Sequence, residues 1–176
     1  MEKLRLYRIK LDYIKYLWEY VDKKVQYREG FFDSYNENRP YIGITYELND
    51  IKYFAPLESP RFSHKTLKTN PHIVKIEEGK YGIIALGNMI PVLDECLVDF
   101  DINKEEEQYK KILIRQFIFC RKNSTRILEN AKQTYEKVTI EKVKFFVDNC
   151  CDFKKLENEY KKYEEQNPCS TTKTTI

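Results

Sequence analysis

The sequence predicts an α+β domain in which a small, bent antiparallel sheet or barrel of short strands precedes a run of helices. Three observations predict it. Short runs of β-branched and aromatic residues, separated by polar turns, occupy residues 4–100. From residue 103 the apolar residues switch to helical spacing and keep it. The chain of 176 residues is close to one domain, and a chain of that size buries about 70% of its unfolded surface, enough for a core without disulfide or metal staples. One domain over residues 1–166 with a tail at 167–176 is the expected layout.

The segment LRLYRI (4–9) roughly alternates apolar and charged side chains, as a half-buried strand does. Asp12 precedes YIKYLWEYV, where Tyr13, Leu17, Tyr20 and Val21 repeat at helical spacing, and is expected to cap that helix by accepting a backbone N–H. Residues 26–40, with Gly30, Asp33, Ser34, Asn36, Asn38 and Pro40, read as a long loop of the kind that often carries function. YIGITYEL (41–48) and IKYFAPL (51–57) around Asn49 and Asp50 read as a hairpin, and residues 58–71 as a second polar loop. Strands are expected at 73–77, 81–86, 89–93 and 96–100. A long helix follows Asn103, with three glutamates in its first turns, where the helix dipole favours negative charge. Thr139 and Asp152 are expected to open two more helices, Thr139 without a capping box because Lys142 stands three residues on.

Composition narrows the chemistry. His64 and His72 are the only histidines, so a three-histidine metal site is excluded and a paired-histidine mechanism would need both. The five glycines form neither G-x-G-x-x-G nor G-x-x-x-x-G-K-[ST], so there is no glycine-rich phosphate cradle, and no cofactor or metal is expected. Cys96, Cys120, Cys150, Cys151 and Cys169 contain no C-x-x-C pair. Cys96 and Cys120 read as small core residues, the other three as incidental, and unpaired thiols fit a reducing cytosol. The N-terminus lacks the apolar stretch of a signal peptide, and no apolar run approaches ~20 residues. A cytoplasmic protein without a membrane span is expected.

The net charge of +3 hides a segregation. Between Tyr109 and Arg126 stand six basic residues and no acid. On a helix Leu113, Phe117 and Cys120 share one face, while Lys111, Arg115, Lys122 and Arg126 cluster within about 60° on the other. Further cations lie at Arg39, Arg61, His64, Lys65 and Lys68, and at Lys3, Arg5, Arg8 and Lys10. Tyr7, Tyr27, Tyr35, Tyr41 and Tyr53 stand beside these cations, and unpaired bases stack on such rings. Two readings follow: a surface that grips RNA phosphates, or an ordinary solvated charged face.

The two polar loops flank the hairpin. Antiparallel pairing therefore brings Tyr35 and Arg39, before its first strand, close to Ser59 and Arg61, after its second. Cleaving RNA with its own 2′-OH needs in-line alignment, cations on the non-bridging oxygens and a group to move protons. Arginine suits the charge role because its planar fork matches two phosphate oxygens. The plainer reading is that Ser59 is a turn residue before Pro60, and that Arg39 and Arg61 pair with Glu37 and Glu58.

Four stretches, DYIKYLWEYVDKKV, SYNENRPYIGITYELNDIKYFAPLESPRFSHK, GIIALGNMIPV and YKKILIRQFIFCRKNSTRI, resemble the ToxN/AbiQ family. Its members are endoribonuclease toxins of type III toxin–antitoxin systems, whose antitoxin is an RNA. The resemblance runs from about residue 4 to residue 165 and is most specific between Tyr41 and His64. It implies a bent SH3-like barrel, akin to MazF/Kid toxins, elaborated with helices. It implies metal-independent cleavage of adenine-rich cellular or phage mRNA to 2′,3′-cyclic phosphate and 5′-hydroxyl ends, in growth arrest or abortive infection. It also implies a toxin that processes its own repeat antitoxin into short pseudoknots, which bind back in a closed protein–RNA assembly. DNA is not an expected partner.

Carried over by position, Ser59, Tyr35, Arg39, Arg61 and His64 are the expected catalytic group. Ser59 and Tyr35 match the family's serine and tyrosine, Arg39 and Arg61 stand where lysines are frequent, and His64 matches a histidine of relatives. Lys65, Lys68, Lys111, Arg115, Lys122 and Arg126 are the expected RNA-binding residues. Glu58 departs from the threonine of some members. Since a carboxylate repels a scissile phosphate, Glu58 is expected to point away. The competing reading is a non-catalytic RNA-binding module.

Overall fold

The computed structural model describes residues 4–30, 36–48 and 51–166. Among the described residues seven strands form one sheet: β1 (Leu6–Ile9), β2 (Tyr41–Leu48), β3 (Ile51–Glu58), β4 (Ile73–Lys75), β5 (Ile83–Ala85), β6 (Ile90–Pro91) and β7 (Leu97–Asp99). They pair antiparallel in the order β4-β5-β3-β2-β1-β7, with β6 beside β3. The hairpin is where the sequence puts it, in register from Tyr41 opposite Pro56 to Leu48 opposite Ile51, with one shift between Ile44 and Leu48. Its turn at 49–50 lies outside the described residues.

The far edge of β3 is shared. Tyr53 and Phe54 face Pro91 and Ile90 of β6, whereas Leu57 and Glu58 face Ile84 and Ile83 of β5. Among the described residues, β4 and β7 end the pairing path without meeting, so the sheet is open.

The helices are α1 (Leu11–Tyr20), α2 (Phe62–Thr66), α3 (Glu107–Lys122), α4 (Ser124–Thr139), α5 (Lys144–Asn149) and α6 (Phe153–Gln166). Several differ from expectation for identifiable reasons. Asp12 does not cap α1: Lys10 is bonded to the Cys96 carbonyl at 2.9 Å, and the chain turns straight from there into the helix. Tyr20, the last residue of α1, is exposed rather than core. The polar loop 58–71 contains α2. The one long basic helix is two helices, because Asn123 leaves helical geometry (φ −111°, ψ 21°) and its side-chain amide competes for the Phe119 carbonyl at 2.9 Å. Thr139 closes α4, donating its hydroxyl to the Tyr135 carbonyl at 2.8 Å, and α5 begins only at Lys144. Asp152 does cap α6, accepting the Lys155 N–H at 3.1 Å. The tail at 167–176, Cys169 included, lies outside the described residues.

The core joins Tyr13 and Leu17 of α1, Ile42, Phe54, Ala55 and Leu57 of the hairpin, Ile84 of β5, Ile127 and Ala131 of α4, and Phe153 and Leu156 of α6. Each large side chain buried there contributes about 1.5–3 kcal/mol. Cys150 and Cys151 are as buried as Cys96 and Cys120, so they are core rather than incidental. Gly87 makes room for Cys150, whose sulfur would lie 2.9 Å from a Cβ at that position.

Candidate active site

The register that pairs Tyr41 with Pro56, and the Leu57 N–H on the Pro40 carbonyl at 2.9 Å, carry the chain before β2 and the chain after β3 out together. Arg39 donates through Nη1 to Gln26 Oε1, and Gln26 Nε2 donates in turn to Glu58 Oε1 at 2.9 Å. The other oxygen, Glu58 Oε2, lies 3.6 Å from both Arg61 Nη2 and His64 Nε2. Ser59 is exposed beside them. Arg39, Ser59, Arg61 and His64 are thus brought together, while Tyr35 lies outside the described residues. Glu58 turns toward Arg61 and His64 rather than away from the cluster, and Gln26 links it to Arg39.

The strand end is fixed from behind. Gln116 of α3 donates Nε2 to the Tyr81 carbonyl at 2.8 Å and to the Glu58 carbonyl at 3.3 Å. Gly82, at φ +96°, presses against the same Glu58 carbonyl, where a Cβ would come within 1.9 Å. His64 is only 3% exposed, and Gly79 packs behind it, with room for no Cβ beyond 2.8 Å from the His64 carbonyl. Burial above all holds the His64 imidazole below its ordinary value, with Arg61 adding to the effect and Glu58 opposing it. Among the described residues its Nδ1 has no hydrogen-bond partner.

Three participants escaped the sequence reading. Tyr109, in the first turn of α3, brings its phenol near Ser59. Burial first, then Glu105, raises the phenol's pKa, while Arg8, Arg39 and Ser59 lower it. Its signal was a lone phenol immediately before Lys110 and Lys111. Gln116 had a clearer one, an amide on the same helical face as Leu113 and Cys120. Gln26 had none. Among the described residues no three His, Cys, Asp or Glu side chains gather as a metal site.

Residues 5–161 match the family described as "Toxin ToxN, type III toxin-antitoxin system". The chain belongs to the ToxN toxin family. It is 29% identical over 170 residues to the endoribonuclease ToxN of Bacillus thuringiensis subsp. kurstaki, covering 92% of this chain and 85% of that one. Among solved structures, a bacterial type III toxin selectively inhibited by a non-coding RNA pseudoknot superposes with a TM-score of 0.79. That toxin is 30% identical, over 93% of this chain and 99% of its own. AbiQ, a lactococcal anti-phage endoribonuclease of a type III system, superposes at 0.77 with 26% identity and the same coverage.

In this ToxN-family chain the remaining cations are distributed less simply than expected. Lys65 and Lys68 are exposed around α2, and Lys111, Arg115 and Lys122 are exposed along α3. Arg126 is also exposed but rides on α4 beyond the break at Asn123, so the stripe spans two helices. Tyr41 and Tyr53 are buried, and Tyr7 and Tyr27 pack against Phe54 and Trp18. Among the described residues, an exposed ring next to Arg61 is Phe62, 83% exposed.

Proposed function

We propose that this chain is an endoribonuclease toxin that breaks RNA by attack of a ribose 2′-OH on the adjacent phosphate, leaving 2′,3′-cyclic phosphate and 5′-hydroxyl ends. The convergence of Ser59, Tyr109, Arg39 and Arg61 at one strand end carries the reading, because it sets hydroxyls beside two phosphate-binding forks. Arg39 and Arg61 neutralise charge that builds on the non-bridging oxygens. Ser59, with Tyr109 behind it, positions the reacting ribose and phosphate. Tyr35 orients or stacks on the RNA. The family supplies the setting: an RNA pseudoknot antitoxin, cut from its own repeat transcript and held in a closed protein–RNA assembly, restrains a cytoplasmic toxin. Released, the toxin cuts adenine-rich cellular or phage mRNA and arrests growth.

The test is incubation of the purified protein with adenine-rich RNA in a chelator, followed by end-group analysis. Cyclic phosphate ends are expected. Ser59→Ala is expected to lower cleavage by at least about 100-fold, the scale of removing one hydrogen-bonding group from a transition state, while antitoxin binding persists. A Ser59→Ala protein that stays toxic would remove Ser59 from the site. Binding that weakens steeply with salt but never cleaves would favour the non-catalytic module.

A further inference from the structure

The Glu58 carboxylate and the His64 imidazole are groups in this site whose chemistry the proposed reaction leaves unused, and the carboxylate is the more open of the two. Glu58 sits one residue from Ser59 and keeps 14% of its side chain open to solvent. Gln26 fixes one oxygen at 2.9 Å, and among the described residues the other has only the looser 3.6 Å approaches of Arg61 and His64. The backbone is clamped by Gln116 and Gly82. An oriented, partly open carboxylate with one lightly held oxygen is what removal of a proton from a ribose hydroxyl requires. The repulsion between Glu58 and a scissile phosphate is offset locally, because Arg61 touches the carboxylate and Arg39 reaches it through Gln26.

We infer that Glu58 is the general base of the cleavage, with His64 as its positioning residue; this rests on the reaction proposed above. The 2′-OH proton passes to Glu58 as O2′ bonds to phosphorus. The bond from phosphorus to O5′ breaks, and the departing oxygen takes a proton from water. Glu58 then returns its proton to water, so the enzyme emerges unchanged and no water is consumed. The groups that face the carboxylate are Gln26 from the loop after α1, Arg61 before α2, and His64 within α2. Arg39 acts through Gln26, and Tyr109 of α3 lies beyond Ser59. His64, buried and in contact with Glu58 rather than with solvent, acts only through it.

The experiment is single-turnover cleavage of an RNA oligonucleotide across pH by the wild type, Glu58→Gln, Glu58→Asp and His64→Gln. The wild-type rate should rise with pH and level off. Glu58→Gln preserves the hydrogen bond from Gln26, and should lose about 100-fold on the plateau together with the acidic limb. Glu58→Asp should keep the limb at a lower rate, and His64→Gln should shift its midpoint. Affinity for RNA carrying a 2′-deoxy residue at the scissile position should be equal or tighter in Glu58→Gln, which shows that the site is intact. A Glu58→Gln rate within about threefold of wild type, or a slow one with the same acidic limb, overturns the assignment and leaves Glu58 as a spacer between arginines. Absence of cleavage by the wild type itself would instead overturn the reaction on which the inference rests.

Discussion

A methyl group on Gly82 would lie 1.9 Å from the Glu58 carbonyl oxygen, and its φ of +96° is one that other residues rarely adopt. Gly82→Ala is therefore expected to cost on the order of 1–3 kcal/mol from backbone strain alone. It should also lower cleavage by more than about tenfold, since a displacement of about 1 Å at a reacting group has effects of that order or larger. Thermal melting and the cleavage assay would read the two effects separately. His72 poses a different question at the same scale. Burial holds its imidazole below the ordinary 6.5, so the unfolded chain takes up the proton first as pH falls. Its contribution to stability is complete above that value and is lost as pH falls toward the lower folded-state value. His64 acts in the same direction. His72→Gln should therefore show a smaller drop in Tm between about pH 7.5 and pH 5 than the wild type.

At the scale of elements, Glu157 of α6 ties three of them together. Its Oε1 accepts from Tyr53 of β3 at 2.8 Å and from Tyr135 of α4 at 2.6 Å, while Lys154 reaches Oε2 at 2.9 Å. Burial and the nearby carboxylate both push the Tyr53 phenol well above its ordinary range, which keeps it a donor. Glu157→Ala strips two buried phenols of their acceptor and should cost about 3–5 kcal/mol in urea unfolding; Glu157→Gln, which keeps an acceptor, should cost less. In the sequence Glu157 looked like one more charge in KLENEY, because the tyrosines that hold it come from residues 53 and 135. The hairpin was legible for the opposite reason: its alternation and its turn are local. The break at Asn123 was hidden because the apolar spacing runs on across it, and only the amide's hold on Phe119 interrupts the geometry.

For the molecule as a whole, a net charge of +3 says little about where its cations are gathered. Lys111 and Lys122 stand exposed on α3, whose inner face carries Gln116. Replacing both with Ala should flatten the salt dependence of RNA binding, by about 0.7 in the log–log slope for each single-strand phosphate that is no longer neutralised. Filter binding over a salt series measures it, and an unchanged slope would remove α3 from the RNA surface. The candidate site was legible where strand pairing brings the hairpin's two ends together. It was illegible at Gln26, Tyr109 and Gln116, which reach the same point from distant parts of the chain. That long reach has a consequence for synthesis. A ribosome delivers the hairpin, Ser59 and both arginines early, yet the helix that locks the Glu58 carbonyl and brings Tyr109 follows only after residue 107. A product that stops short of that helix lacks the Gln116 clamp and Tyr109, and is expected to be an inert fragment rather than a weak poison, so that a message cut or stalled early yields no toxicity.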